Sequence, residues 1–199
     1  MTGLSGLKVF LEGPDDERFF RRIIEPRIAG RYSSVKYVQY ARLPAGQITS
    51  ILRALYNGSK PVLFLRDLDS KPCPGNRRDE VVTRYPELQP EQVHVVVREI
   101  ECWYAAGLDR DAAQALGIRW SSLAGGTEQL DKEKIHHACN FRGDVDHSTL
   151  LIQMLDSFSL AQAKRANPSF RRFVQRLASG LHRPGGGYRT FIEEPQRGQ

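Results

Sequence analysis

The chain has no uninterrupted apolar stretch near the roughly 20 residues that a membrane-crossing helix needs, so no such helix is expected. Residues 1–6 are too short and too polar to read as a secretory signal, and the expectation is a cytoplasmic protein. Cysteine is scarce. Cys73, Cys102 and Cys139 are odd in number, widely separated and form no CxxC pair, which argues against a disulfide framework and against a zinc ribbon and leaves free thiols. There is also no internal repeat and no low-complexity segment.

What remains is a chain of 199 residues, 40% hydrophobic, enough to bury a proper core in one domain with a small helical appendage. Lys and Arg total 29 against 23 Asp and Glu, a formal charge of +6. Arginines cluster as Arg18, Arg21 and Arg22, as Arg77 and Arg78, and as Arg171, Arg172, Arg176 and Arg183. Arginine suits bidentate contact with phosphate, so an acidic, phosphate-bearing partner is one reading and a solvated, solubilising surface is the other. The last cluster, on a helix whose apolar stripe is Phe170, Phe173, Val174 and Leu177, could hold a nucleic-acid backbone without reading its sequence.

Strand and helix periods alternate along the first half. Apolar runs predict strands at residues 7–12, 35–40, 62–65 and 93–97. Between them, residues 15–25 present Phe19, Phe20, Ile23 and Ile24 on one face, with Pro26 ending or kinking the helix. Ile48, Ile51, Leu52 and Leu55 fall at i, i+3, i+4 and i+7, and residues 77–85 form a weaker helix after the breaker loop at 71–76. The order β-α-β-α-β-α-β implies right-handed crossovers and a mostly parallel sheet flanked by helices. Beyond Arg98 the pattern turns helical, with helices expected at 100–108, 110–116, 127–139, 148–158 and 160–177, the last broken at Pro168. The expected organisation is an α/β metal-binding domain over residues 1–108 and a helical C-terminal extension over 109–199 packed on it as one compact unit.

Chemistry concentrates in carboxylates at strand ends. Glu12 closes the first apolar run, and Asp67 and Asp69 follow the third. In an open α/β sheet the edge outside the carboxyl ends of the strands is where ligands bind. Acids gathered there repel one another unless a cation neutralises them. If the strand continues, Asp67 and Asp69 project from the same side and can share one ion. In the segment Glu12-Gly13-Pro14-Asp15-Asp16-Glu17, a proline at the first helical position followed by three acids is also an ordinary helix start. That accounts for Asp15 and Glu17, leaves Asp16 open and does not account for Glu12. Glu99 or Glu101, after the fourth strand, could add a ligand, although acids opening a helix are common there. His136, His137, Cys139, Asp144, Asp146 and His147 form a ligand-rich stretch whose spacing fits no zinc pattern, so a helix end and a turn is the expectation.

The run Val9-Phe10-Leu11-Glu12-Gly13-Pro14-Asp15-Asp16-Glu17-Arg18-Phe19-Phe20, with Leu65-Arg66-Asp67-Leu68-Asp69 downstream, resembles the TOPRIM domain. That Mg²⁺-binding α/β module occurs in topoisomerases, primases, OLD-type (overcoming lysogenization defect) nucleases and a ribosomal-RNA maturase. The likeness covers roughly residues 7–106. Two later stretches, Arg98-Glu99-Ile100-Glu101-Cys102-Trp103-Tyr104 and Asn167-Pro168-Ser169-Phe170-Arg171-Arg172-Phe173, resemble small stand-alone, OLD-like TOPRIM proteins, in which the glutamate before the tryptophan is a recurrent acid. The resemblance therefore raises Glu101 above Glu99. It departs from the pattern at Asp16, where Glu is usual. It implies Mg²⁺ (or Mn²⁺) held by Glu12, Asp67 and Asp69, with Asp16 and Glu101 completing a second position. Lys132 is a candidate assisting lysine whose ordinary reading is a solvated helix residue.

Neither a strand-cleaving tyrosine domain nor a primase zinc module is expected in these 199 residues. The implied activity is metal-dependent phosphodiester hydrolysis of DNA, with a role in defence against foreign DNA, and a partner ATPase or other protein subunit remains open. An RNA-processing nuclease and a non-catalytic nucleic-acid-binding effector subunit are the alternatives.

Overall fold

The computed structural model describes residues 6–138 and 146–179. Four strands, β1 (Leu7–Leu11), β2 (Val35–Gln39), β3 (Val62–Asp67) and β4 (Val93–Val96), form one all-parallel sheet in the order β2-β1-β3-β4. The chain leaves β1 toward one edge and returns past it toward the other. The topological switch therefore falls between β1 and β3, where a crevice opens beyond the strand ends.

Alternation along the strands sends residues to two cores, one on each face. Phe10, Val62, Phe64 and Val93 pack with Ile48 and Leu52 of α3 (Ala45–Asn57) and Val81 of α4 (Pro74–Arg84). Leu7, Val9, Leu11, Leu63, Leu65 and Val96 face the other way. They meet Phe19 of α1 (Pro14–Phe19), Trp103 of α5 (Glu101–Ala106), and residues of three later helices: α8 (His147–Asp156), α9 (Leu160–Ala166) and α10 (Pro168–Ser179). The later helices thus complete the core that the first half opens. Phe170 and Phe173 of α10 tilt against Trp103 at ring-centroid distances of 5.2 and 4.8 Å. Each such burial contributes about 1.5–3 kcal/mol.

A buried polar knot ties this layer to α5. Asn167 accepts the Phe170 N–H at 2.9 Å, capping α10, and its Nδ2 donates to Thr127 Oγ1 at 3.1 Å and to Cys102 Sγ at 3.4 Å. Trp103 Nε1 donates to Ser169 Oγ at 2.9 Å. Cys73 is exposed and Cys102 buried, both as free thiols, while Cys139 lies outside the described residues.

Three local expectations are corrected. Pro26 does not end the first helix: a π turn at Phe20–Ile24 widens the helix just before it, and α2 (Glu25–Ile28) continues through the proline. Widening the turn moves the hydrogen-bond register, with the Glu25 N–H reaching Phe20 O, so the donor that proline lacks falls at the opening of a new helix segment. The helix expected at 127–139 starts later, as α7 (Lys132–Ala138), because Thr127 is buried in the Asn167 knot and Leu130 closes a turn on it. Lastly, β3 stops at Asp67. Asp69 takes a left-handed conformation with φ of 52°, so the two aspartates do not share a strand face. One further short helix, α6 (Arg110–Ala115), capped by Asp109, links α5 to this region.

Candidate metal centre

A cleft of about 360 Å³ opens at the switch point, lined by Glu12, Asp15, Asp16, Asp67, Asp69, Glu99, Glu101 and Lys132 among others. The five acids that the sequence singled out, Glu12, Asp16, Asp67, Asp69 and Glu101, all border it. Local folding explains each position. Glu12 follows β1, and Gly13 and Pro14 turn the chain into α1, which places Asp16 one turn in. Asp67 ends β3, and Glu101 opens α5 after β4.

Glu12 is held from three sides. Its Oε1 accepts the Asp67 N–H at 2.9 Å, meets Arg66 at 3.0 Å and lies 3.2 Å from the Tyr40 hydroxyl, which donates to Leu65 O at 2.8 Å. Asp69 is the most exposed of the set and is held by Arg77, with Arg66 at 3.4 Å. Arg77, almost fully buried, also donates to Asp67 O at 2.9 Å and so pins the end of β3.

The inner carboxylates are different. Asp16 accepts the Gly13 N–H at 3.0 Å through Oδ2, but its Oδ1 is buried without a hydrogen-bond partner. Asp67 Oδ1 is buried and unpartnered too. Burial pushes the Asp16 carboxyl up to about 7 despite the Gly13 N–H, and the Glu12 and Glu101 charges add to the effect. Burial, followed by the charges of Asp16, Glu12, Glu101 and Asp69, raises Asp67 well above the usual carboxylate range. Glu101 is raised for the same first reason, with Glu99 contributing and His147 opposing. Isolated buried carboxylate oxygens are costly, and several facing one cleft are the electrostatic signature of a cation position.

Residues the sequence reading did not assign to the site also reach it. His147, at the start of α8, sits with Nε2 3.2 Å from Glu101 Oε1. One donor atom each from Asp15, Glu101 and His147 lies within 4.8 Å of the others. Asp15 is also bridged by Arg18. His147 stood out only as part of a ligand-rich stretch that fits no zinc pattern, and Asp146, which caps α8 through the Thr149 N–H, makes the segment read as a plain helix start. Arg66 did carry a signal, as a charged residue inside an apolar strand beside the acids. Lys132 lines the cleft, and its N–H donates to Glu99 Oε2 at 2.9 Å. Glu99 therefore caps the entry to α7.

Of the arginines expected to bind nucleic acid, the three among the described residues, Arg171, Arg172 and Arg176, do not line the cleft. Arg172 pairs with Glu128 at 3.0 Å, and Arg176 reaches Glu91 O at 3.4 Å, ahead of β4 and so at the opposite end of the parallel sheet from the cleft. Arg171 borders a separate, mainly apolar hollow with Ile24, Leu160 and Val174, and Arg183 lies outside the described residues. His136 and His137 are exposed on α7. Among the described residues no helix is long and apolar enough to cross a membrane.

Fold and cleft together define a doubly wound α/β domain with an acidic crevice at its switch point. Comparison of the chain with profiles of known families, with characterised proteins and with solved structures finds no match.

Proposed function

We propose that the protein is a TOPRIM-type, Mg²⁺-dependent nuclease that hydrolyses phosphodiester bonds of DNA. The observation that carries this reading is Asp67 Oδ1, buried and unpartnered at the switch-point cleft within the field of four other carboxylates. A hard cation with all-oxygen ligation fits that donor set. Glu12, Asp67 and Asp69 would hold it, with Asp16 and Glu101 available to a second ion. When bound, Mg²⁺ would supply activation of water and stabilisation of charge on phosphate oxygens.

The chain's own residues supply positioning. Arg66 and the Asp67 N–H fix the Glu12 carboxylate, and Arg77 holds Asp69 and the end of β3. Lys132 borders the cleft and would offer a positive charge to an approaching phosphate oxygen. The formal charge of +6 supports an acidic partner. The choice of DNA, and a role in defence against foreign DNA, rest on the OLD-like resemblance.

Cleavage of supercoiled plasmid, linear duplex, single-stranded DNA and structured RNA, with Mg²⁺ or Mn²⁺ against EDTA, tests the proposal. Metal-dependent DNA cutting by the wild type that is lost in Asp67→Asn/Asp69→Asn is expected. Cutting of RNA alone would move the assignment to an RNA-processing nuclease. A second reading has its own observation: Arg66 and Arg77 already bridge Glu12 and Asp69, as in a site that needs no metal for charge balance. Absence of cutting on every substrate would favour that non-catalytic, nucleic-acid-binding effector.

A further inference from the structure

We propose that Asp15, Glu101 and His147 form a separate cation position whose nitrogen donor selects a transition-metal ion such as Mn²⁺ over Mg²⁺. The three residues lie at the starts of three different helices, α1, α5 and α8, and come together from separate parts of the chain, with Asp15 and Glu101 lining the cleft. Their donor atoms lie within 4.8 Å of one another. Ligands about 2.1 Å from a common ion stand roughly 3 Å apart when adjacent and about 4.2 Å apart when opposed. The 3.2 Å between His147 Nε2 and Glu101 Oε1 is already the adjacent-ligand separation.

A second, independent observation points to a ligand here. Asp16, the chain neighbour of Asp15, is 5% exposed and lines the same cleft with its Oδ1 unpartnered. The two carboxylates and a neutral imidazole carry two negative charges, one of them shared with Arg18. Mg²⁺ prefers oxygen ligands and keeps its waters, whereas an imidazole nitrogen favours first-row transition ions, of which Mn²⁺ binds most weakly and is the most like Mg²⁺ in its taste for oxygen. Arg18 holds Asp15 through one carboxylate oxygen, and a carboxylate has a second one to offer. The proposal shares Glu101 as a ligand and the unpartnered Asp16 as support with the Mg²⁺ reading, and it does not require the protein to be a nuclease.

The test uses the full chain and Mn²⁺ alone, read by electron spin-echo modulation, which detects an imidazole nitrogen bonded to the ion. Nitrogen modulation is expected in the wild type, in His136→Ala, in His137→Ala and in Asp67→Asn. It should vanish in His147→Ala, with Mn²⁺ affinity falling by about tenfold or more while Mg²⁺ affinity barely moves. A wild-type spectrum without nitrogen modulation overturns the proposal and needs no variant to fold. So does modulation that persists in His147→Ala. Loss of cleavage in the Asp67→Asn/Asp69→Asn protein leaves this readout untouched, so failure of the nuclease proposal is distinguishable from failure of this one.

Discussion

Replacing Asp16 with asparagine should stabilise the metal-free protein above neutral pH, against the usual outcome for a buried residue. The carboxyl titrates near 3.8 in the unfolded chain and near 7 in the fold, raised first by burial and then by neighbouring charge. The folded state thus holds its proton over that interval while the unfolded state has lost it. Stability contributed below pH 3.8 is lost as pH rises through 7. About three pH units at 1.36 kcal/mol each give about 4 kcal/mol, a large share of a typical folding free energy.

Asparagine keeps the acceptor for the Gly13 N–H and sets an amide donor where Asp16 Oδ1 stands unpartnered beside other carboxylates. At pH 8 in EDTA the variant should melt higher, by roughly 8–16 °C for a chain of this size. The two proteins should converge near pH 4. Thermal unfolding followed by circular dichroism across pH 4–8 reads this directly. Adding Mg²⁺ or Mn²⁺ at pH 8 should raise the wild type and narrow the gap. Melting curves that stay parallel across the whole pH range would refute the reasoning, because the Asp16 charge would then carry no penalty in the fold.

His94 titrates in the opposite sense. Burial, with Arg176 and Arg78 nearby, lowers its imidazole to about 3, so the unfolded state takes up a proton below about 6.5 and the folded state does not. Wild type should therefore lose about 2 kcal/mol relative to His94→Gln between neutral pH and pH 5, measured by urea unfolding. Asn167→Ala removes the α10 cap and strands Thr127, and a loss of about 2–4 kcal/mol in the same assay is expected. Gly107→Ala places a Cβ 2.1 Å from the Phe158 ring, which is itself packed against Phe19 and Phe170, so destabilisation of about 1–3 kcal/mol should follow. An unchanged melting temperature in that variant would mean that the ring moves freely.

Much of the architecture is local and was legible for that reason. The short apolar run at 62–65, opened by Pro61, reads as a strand buried on both faces, and the spacing of Ile48, Leu52 and Leu55 reads as a helix face, because length, flanking residues and the 3.6 period are properties of the chain itself. The same rule put Glu12 and Asp67 at strand ends and Glu101 at a helix start before any fold was known. Of the two outcomes expected at Pro26, an end or a kink, the end does not occur, because the proline's cost is absorbed by the π turn preceding it, a register change that no residue type announces.

What the tertiary structure alone decided is which of these ends meet. Strand order brings β1 beside β3 and turns two separate acids into one cleft. The left-handed backbone at Asp69 hands its carboxylate to Arg77 and leaves Asp67 inside. His147 reaches Glu101 across 46 residues of sequence. Contacts of that kind depend on how helices stack on a shared core, and nothing in the local alternation of apolar and polar residues encodes them. Sequence by itself determined the elements and the chemistry at their tips; packing determined which tips share a site, and with it the balance of charge inside.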